Sequence, residues 1–148
     1  MKTLIIYKSV HNMCTEKLAK RMAGELSAAI SQPIEAMIKK INQYDLVGFG
    51  SGIYDAMHHP ALLDLADKLP DLKRKRVFLF STAGVISKHF HDRLKEKLVQ
   101  KNATMVDDFY CKGFNTNSFL KYFGGMNKGR PNEDDLNRAA QFARRMRV

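Results

Sequence analysis

The sequence predicts an α/β fold of three layers, in which a five-stranded parallel sheet lies between two layers of helices. Short apolar runs at residues 4–7, 46–49, 77–80 and 105–110 have the composition of strands that are buried on both faces. The segments between them repeat apolar residues at three- and four-residue spacing, as amphipathic helices do. Strands that alternate with helices in this way form right-handed βαβ units, and such units build a parallel sheet that is covered on both sides.

Each predicted helix is marked by apolar residues that recur every three or four positions. Helix by helix, these residues are Leu18, Met22, Leu26 and Ile30; Leu62, Ala66 and Leu69; Phe90, Leu94 and Leu98; and Leu136, Ala139, Ala140, Ala143 and Met146. Pro60 suits the first position of its helix and Pro70 ends that helix, while Asn132 can cap the last one. The second strand in chain order is predicted near residues 34–38.

Length and composition limit the classes of protein that the chain can form. Residues 1–148, of which 45% are hydrophobic and 27% charged, are predicted to form a single domain with its own core. No apolar run approaches the ~20 residues of a membrane span, and the first apolar run is too short for a signal peptide. We therefore expect a cytoplasmic protein in which Cys14 and Cys111 are thiols.

The net charge of +10 is the unusual feature of the composition. Basic residues are densest in the run KRKR at residues 73–76 and among the arginines at the end of the chain. Such a surface attracts acidic partner proteins or an anionic membrane, although a solvated loop and chain end would explain the same pattern. Nucleic acid is not expected as a partner, because no aromatic residues alternate with the basic run.

Two of the apolar runs end in glycine and hydroxyl-bearing residues, FGSGIY at residues 49–54 and FSTAG at residues 80–84. In an open parallel sheet, ligands bind at the carboxyl ends of the strands, near the point where the strand order reverses. Small residues let the backbone approach a flat ligand, and Tyr54 supplies a ring that can stack on it. The two strand ends therefore predict a site for a planar cofactor.

Four segments of the chain resemble the flavodoxins. Residues 7–17, YDLVGFGSGIY at 44–54 and FSTAG at 80–84 are similar to the three flavodoxin cofactor loops, and GGMNKGRPN at 124–132 to the segment before their last helix. The resemblance implies the strand order 2-1-3-4-5 and FMN as the cofactor. The residues that it places at the cofactor are Ser9, His11, Asn12, Cys14, Thr15, Ser51, Gly52, Ile53, Tyr54, Asp55, Ser81, Thr82, Ala83 and Gly84.

The first of these loops should hold the phosphate. It lies between the first strand and the first helix, where the positive end of the helix and its N–H groups favour an anion. The side chains that can donate hydrogen bonds there are Ser9, His11, Asn12 and Thr15. Met13, however, stands where flavodoxins usually have glycine, and a side chain disfavours left-handed backbone. We therefore expect this loop to close in a different way.

In the middle loop, the resemblance gives Tyr54 the position of an aromatic that stacks on the isoalloxazine ring. A glycine commonly follows this aromatic in flavodoxins, whereas Asp55 and Ala56 follow it here. Aspartate tolerates left-handed backbone better than most residues do. Its carboxylate would bring negative charge near the ring and disfavour the anionic, fully reduced flavin.

No metal ligand and no catalytic residue is predicted. Of the four histidines near the cofactor loops, His89 and His91 are two residues apart and point to different sides of a helix, while His59 leads into the helix at Pro60. Cys14 at the start of a helix has two interpretations, a reactive thiol of lowered pKa or a small packing residue. The second is favoured, because no base is indicated near it.

The sequence thus predicts an FMN-binding electron carrier that exchanges one or two electrons with redox partner proteins, which its charge suggests have acidic surfaces. The alternative is an FMN-dependent oxidoreductase on the same fold, of the quinone reductase or protoporphyrinogen-oxidising type, in peripheral contact with a membrane. The chain has no obvious extra loop for a substrate, which favours the carrier. Its basic charge is opposite to that of the usually acidic flavodoxins, and fold alone does not separate the two functions.

Overall fold

A parallel sheet forms the centre of the molecule in the computed structural model, which describes residues 1–10, 13–113 and 129–147. Its strands are β1 (Thr3–Lys8), β2 (Ala29–Ser31), β3 (Leu46–Tyr54), β4 (Met57–His58), β5 (Arg76–Ala83) and β6 (Thr104–Lys112). Five of them are parallel and lie in the order β2-β1-β3-β5-β6. The two-residue strand β4 pairs antiparallel with the end of β3. The five parallel strands therefore confirm the predicted order 2-1-3-4-5.

Helices cover both faces of this sheet. They are α1 (Cys14–Leu26), α2 (Ala36–Lys40), α3 (Pro60–Lys68), α4 (Asp92–Gln100) and α5 (Glu133–Arg145), with 3₁₀ turns at Ile41–Gln43 and Lys88–His91. Successive residues of a strand point to opposite faces. In β1, Leu4 and Ile6 accordingly pack in a core with α3 and α4, while Ile5 and Tyr7 pack in a second core with α1 and α5. The predicted three layers are confirmed.

The helix ends follow the sequence signals. Pro60 is the first residue of α3, and His59 Nδ1 accepts a hydrogen bond from the Ala61 backbone N–H at 2.9 Å. The Asn132 side chain accepts a bond from the Asp135 N–H at 2.9 Å, and the Asp135 carboxylate accepts one from the Asn132 N–H at 2.8 Å. This reciprocal cap fixes the start of α5. None of the helices in the described ranges is long and apolar enough to cross a membrane.

The position predicted for the second strand is wrong. The strand β2 lies at Ala29–Ser31, whereas residues 34 and 35 precede α2 and residues 36–38 are its first three residues. Met37 and Ile41 are both buried in that region and are four residues apart, which is the spacing of a helix, whereas Ile34 is exposed. The apolar residues there thus line one side of a helical turn rather than one face of a strand.

The first helix is shorter than its apolar spacing predicts. It ends at Leu26 because Ser27 adopts left-handed backbone with φ 50°, and the Ala28 N–H bonds the Ala23 carbonyl at 3.0 Å. Ile30, predicted as the last apolar residue of that helix, instead lies in β2. Because the helix ends at Leu26, the following residues are free to form β2 at the edge of the sheet.

Candidate functional site

The three predicted cofactor loops lie side by side at the carboxyl edge of the sheet. The register places Lys8 of β1 beside Ser51 of β3, and Ser51 beside Ser81 of β5. One position further along, Gly52 lies beside Thr82. The strand order reverses between β1 and β3, so these loops flank the position where open α/β sheets bind ligands.

The first loop joins α1 to its neighbours through two hydroxyl groups. Ser9 Oγ accepts a hydrogen bond from the Glu16 backbone N–H at 3.2 Å, which places Ser9 at the N-terminus of α1. Thr15 Oγ1 lies 2.9 Å from Thr82 Oγ1 in a buried contact that links the first loop to the third. Ser9 therefore stands where a phosphate ligand is expected, whereas the Thr15 hydroxyl is directed at Thr82.

Met13 closes the first loop in the left-handed conformation. Its φ of 53° and ψ of 29° place it directly before α1, and its side chain is exposed. The expectation that a side chain here forces a different closure is therefore wrong, since the chain keeps the left-handed backbone at a cost of about 1–2 kcal/mol. His11 and Asn12, which were also predicted to contact the cofactor, lie outside the described residues, as does most of the segment 124–132.

Both cysteines are buried near these loops. Cys14 opens α1, and its Sγ lies 3.6 Å from the carbonyl oxygen of Arg130. A Cβ added to Gly113 would lie 3.1 Å from the Cβ of Thr82 and 3.3 Å from that of Cys14, so the chain is tightly packed at this point. Burial raises the pKa of Cys111 to about 12, which keeps that thiol protonated at neutral pH. The surroundings of Cys14 favour the packing role over a reactive one.

The middle loop is a tight hairpin between β3 and β4. Tyr54 pairs with Met57, and the two turn residues Asp55 and Ala56 have φ of 50° and 62°. Two successive left-handed residues form a type I′ turn, whose twist matches that of the strands. Asp55 thus adopts the left-handed backbone that its residue type tolerates, and it lies exposed at the tip of the hairpin.

Ser51 stabilises the base of this hairpin. Its hydroxyl donates to the Gly52 carbonyl at 2.6 Å and accepts from the His59 backbone N–H at 2.9 Å, and the residue is fully buried. Both hydrogen bonds of the Ser51 hydroxyl thus join it to the backbone of the same hairpin region rather than to a ligand. The half-buried residues Gly52 and Ile53 follow it, and we expect their backbone to supply the contacts to a ligand.

Tyr54 lies across the middle loop. Its ring meets the His59 ring edge-on, with 5.2 Å between the ring centroids and 86° between the planes. A Cβ on Gly52 would lie 3.2 Å from the tyrosine hydroxyl, so the phenol covers that glycine. Burial raises the pKa of Tyr54, and the ring stays neutral. Tyr54 is thus packed against protein atoms and half-buried, as a stacking platform for a flat ligand requires.

Two other glycines of β3 make room for the core. A Cβ on Gly48 would overlap the ring of Phe78, and one on Gly50 would overlap the ring of Phe80. Both rings are fully buried in the core next to α1 and α5. The interpretation that small residues here admit a flat ligand therefore does not apply to Gly50, and at Gly52 the missing side chain makes room for the phenol of Tyr54.

The third loop leaves β5 with successive side chains on opposite faces. Thr82 lies on the α1 side, where its hydroxyl is hydrogen-bonded to that of Thr15 in the first loop. Ser81 is turned to the α4 side, where its Oγ lies 2.7 Å from Nε2 of His91. Ala83 and Gly84 are half-buried and continue the chain beyond these two anchors.

Beneath the middle and third loops lies a buried polar cluster that no sequence motif indicates. His91 Nδ1 lies 3.0 Å from Asp108 Oδ1, in addition to the contact of Nε2 with Ser81. The ring of His58 lies 4.7 Å from that of His91, and His58 Nε2 donates to the Phe80 carbonyl at 3.0 Å. Both histidines are fully buried. One signal could have found this cluster, because an aspartate within the apolar run of the last strand needs a polar partner.

The donors at this edge of the sheet fit FMN. A phosphate is bound by hydroxyl groups and by the N–H groups at a helix N-terminus, both of which the start of α1 supplies at Ser9. A flat ring needs an aromatic platform, which Tyr54 supplies.

The sequence matches the flavodoxin domain family over residues 4–127. It is also 44% identical, over 146 residues, to the uncharacterized protein MJ0298 of Methanocaldococcus jannaschii, and the alignment covers 97% of each chain. The family match alone spans more than half of the molecule and includes all three loops.

Solved structures share the architecture. A flavodoxin from the domain Archaea superposes with a TM-score of 0.73 at 13% identity, over 99% of this chain and 96% of that one. General stress protein 14 of Treponema denticola, solved in complex with FMN, superposes with a TM-score of 0.63 at 15% identity, over 97% of this chain and 95% of that one. At these identities the likeness shows the fold.

Proposed function

Because the chain belongs to the flavodoxin domain family, we propose that it binds FMN at the carboxyl edge of the sheet and carries electrons between redox proteins. The observation that carries the proposal is the meeting of three loops at that edge: the start of α1 with Ser9, the hairpin with Tyr54, and the end of β5. The FMN complex of general stress protein 14, which has a similar fold, supports the choice of cofactor.

The N-terminus of α1 would hold the phosphate. The end of a helix carries about half a positive charge, and its first N–H groups have no partner within the helix. The Ser9 hydroxyl accepts from Glu16 with its oxygen and can still donate its own proton to a phosphate oxygen. These two features predict that the protein binds FMN more tightly than riboflavin, which lacks the phosphate.

The middle and third loops would hold the ring. Tyr54, which packs over Gly52, offers a face to stack on, and the backbone near Gly84 can approach the ring closely because that residue has no side chain. When bound, FMN supplies one- and two-electron transfer, while the protein sets its orientation and its electronic surroundings. The exposed carboxylate of Asp55 at the hairpin tip would add negative charge there, which makes the last electron harder to add.

We further propose that the partners have acidic surfaces. Lysines stand at the ends of β1 and β6 and in the 3₁₀ turn after β5, all on the proposed flavin side: Lys8, Lys112 and Lys88. Together with the net charge of +10, they would steer an acidic protein toward this edge.

Flavin titration of the purified apoprotein tests the cofactor. We expect quenching of flavin fluorescence by FMN at low concentration, weaker binding of riboflavin, and a smaller preference for FMN in the Ser9→Ala variant. Thr104→Ala is the matched control, since it removes a hydroxyl at the opposite end of the sheet. Absence of FMN binding, or equal affinity for FMN and riboflavin, would contradict the proposed site.

Electron transfer is tested with the FMN-loaded protein. A carrier, once reduced, passes electrons to a protein acceptor in stopped-flow mixing and shows no sustained turnover with quinones or porphyrinogen. Steady-state turnover of one of these small molecules would identify the protein as an oxidoreductase instead.

A further inference from the structure

A chain of hydrogen bonds runs from the end of β5 to the surface beside β6. Ser81 Oγ lies 2.7 Å from His91 Nε2, and His91 Nδ1 lies 3.0 Å from Asp108 Oδ1. Lys95 Nζ donates to the other carboxylate oxygen of Asp108 at 2.8 Å. The ring of Tyr110 stacks on His91 with 4.0 Å between the centroids and 18° between the planes, and so covers it. The imidazole of His91 thereby joins its own 3₁₀ turn to β5 and β6, and Asp108 extends the contact to α4.

The positions of the protons follow from the charge of Asp108. Burial raises the pKa of this carboxyl, but hydrogen bonds from His91 and Lys95 outweigh burial and hold the pKa below its usual value. The carboxylate is therefore ionised and accepts a hydrogen bond from Nδ1–H of His91. Burial lowers the pKa of His91, and its bond to Asp108 offsets this only in part. The neutral ring thus accepts a hydrogen bond from the Ser81 hydroxyl at Nε2.

Ser81, His91 and Asp108 have the hydrogen-bond order of a hydrolytic triad. The side chain of Ser81 is nevertheless buried, with 2% of the residue exposed, and the ring of His91 is fully buried. A substrate carbonyl could not reach the serine oxygen in this arrangement. We therefore assign the three residues a structural role, which is to hold the end of β5 in place.

The position of Ser81 connects these hydrogen bonds to the proposed flavin site. Ser81 is bonded to His91 on one face of the sheet, and the next residue, Thr82, is bonded to Thr15 on the other face at 2.9 Å. The end of β5 is thus held from both sides. A displacement of Ser81 passes through one peptide to Thr82 and from there to the start of α1, where the phosphate would bind.

We propose that His91 is a positioning residue of the flavin site: while its ring is neutral it holds Ser81 and the end of β5 in place, and the gain of a proton at this ring weakens flavin binding. The inference rests on the proposed function. A second proton on the ring turns Nε2 from an acceptor into a donor, so the Ser81 hydroxyl must turn its own proton away and accept from Nε2–H instead. It also places a positive charge in a fully buried position next to His58.

The other titratable groups around His91 come from three elements. They are His58 from β4, Asp92 and Lys95 from α4, and Asp108 and Tyr110 from β6. Burial lowers the pKa of His58 to about 3, and burial raises that of Tyr110 to about 12, so neither changes charge near neutral pH. The charge that the proposal invokes is therefore that of His91, whose pKa burial lowers from the ordinary histidine value, so the ring gains its proton only as the pH falls.

Nuclear magnetic resonance tests the coupling directly. The Cε1 proton of His91 is followed through a pH titration with and without saturating FMN. Coupling is reciprocal: if the protonated form binds FMN at least about fivefold more weakly, FMN lowers the pKa of His91 by about 0.7 unit or more. The titration of His89, two residues away and exposed, is the control and should not respond. An unchanged titration of His91 in the FMN complex would overturn the inference.

Variants provide a second measurement. His91→Gln can still donate to Asp108 and accept from Ser81, but it does not titrate. The FMN phosphate has its own pKa near 6, which affects every variant equally. We therefore compare dissociation constants between about pH 5 and pH 8, the range in which a histidine charge changes. Native protein should lose affinity relative to His91→Gln as the pH falls, while His89→Gln follows the native protein.

Ser81→Ala is a second test, which does not depend on the His91→Gln protein folding correctly. It removes the bond through which the coupling runs and leaves the histidine in place, so FMN should no longer shift the titration of His91. A His91→Gln protein whose pH profile parallels that of native protein would overturn the inference while FMN binding itself is intact. Failure of native protein to bind FMN at neutral pH would instead contradict the proposed function.

Discussion

Tyr54 is the residue on which ring binding should depend most. It is packed against Gly52 and His59 and is half-buried, so its position is set before a ligand arrives. Stacking of a base on an aromatic side chain is worth about 1–3 kcal/mol. Tyr54→Ala should therefore weaken FMN binding by roughly five- to 150-fold in a fluorescence titration.

Tyr54→Phe is the matched control for this prediction. It keeps the ring and its edge-on contact with His59 and loses only the hydroxyl near Gly52. FMN affinity close to that of native protein is expected for this variant. If Tyr54→Ala also binds FMN with unchanged affinity, the phenol does not stack on the ring.

At the scale of elements, the packing of β3 against β5 depends on glycines that a side chain cannot replace. A Cβ on Gly50 would overlap the buried ring of Phe80, and overpacking of a core typically costs about 1–3 kcal/mol. Gly50→Ala should lower the free energy of unfolding by that amount in urea denaturation. A Cβ added to Gly24, in α1, would have no atom within 4 Å. Because alanine favours a helix more than glycine does, Gly24→Ala should raise the free energy of unfolding by up to about 1 kcal/mol. Equal effects of the two variants would refute this account.

The strand β4 makes stability depend on pH through His58. Burial lowers the pKa of His58 to about 3 in the folded protein, against about 6.5 in an unfolded chain. Between these values the unfolded chain binds a proton that the folded protein excludes, so the free energy of unfolding rises with pH. Stability should be full above about pH 7 and should decrease as the pH falls below about 6.5.

Urea denaturation at several pH values above about pH 5, where most carboxyl groups keep their charge, measures this slope. His58→Gln can still donate to the Phe80 carbonyl but does not titrate, so its slope should be smaller than that of native protein. His89→Gln, at an exposed position, should keep the native slope. If His58→Gln keeps the native dependence of the free energy of unfolding on pH, His58 is not the cause of that dependence.

The elements differ in how far the sequence predicts them. The strands β1, β3 and β5 are apolar on both faces, which makes them visible as unbroken runs, and their ends are marked by glycine and hydroxyl residues. The strand β2 has three residues, two of them exposed, so no pattern distinguishes it. The contact of His91 with Asp108 joins residues 17 positions apart from different elements. The sequence shows only that an aspartate in an apolar strand needs a polar partner, and which residue supplies it depends on the tertiary arrangement.

At the scale of the whole molecule, the densest basic run lies at the wrong end of the sheet to contact a partner at the flavin. Lys73 and Arg74 form a tight turn before β5, whereas the proposed flavin site lies beyond its last residue, Ala83. Eight residues of strand separate the two ends by about 23 Å. Charges that far apart are largely screened at physiological salt, where the Debye length is about 8 Å.

Two double variants with the same change in net charge separate a local effect from a global one. Lys88→Glu with Lys112→Glu reverses charges on the proposed flavin side, and Lys73→Glu with Arg74→Glu reverses two at the opposite edge. If the basic surface selects acidic partners, the first pair should slow association with an acidic redox protein by about tenfold or more at low salt. The second pair should slow it much less.

Stopped-flow mixing over a range of salt concentrations provides the measurement, with the flavin content of each variant as the control. The difference between the two pairs should shrink as salt rises, because screening weakens steering by charges near the docking site. Equal slowing by both pairs would show that only net charge matters. Rates that do not depend on salt or on either pair would show that the positive charge is a solvated surface with no part in choosing a partner.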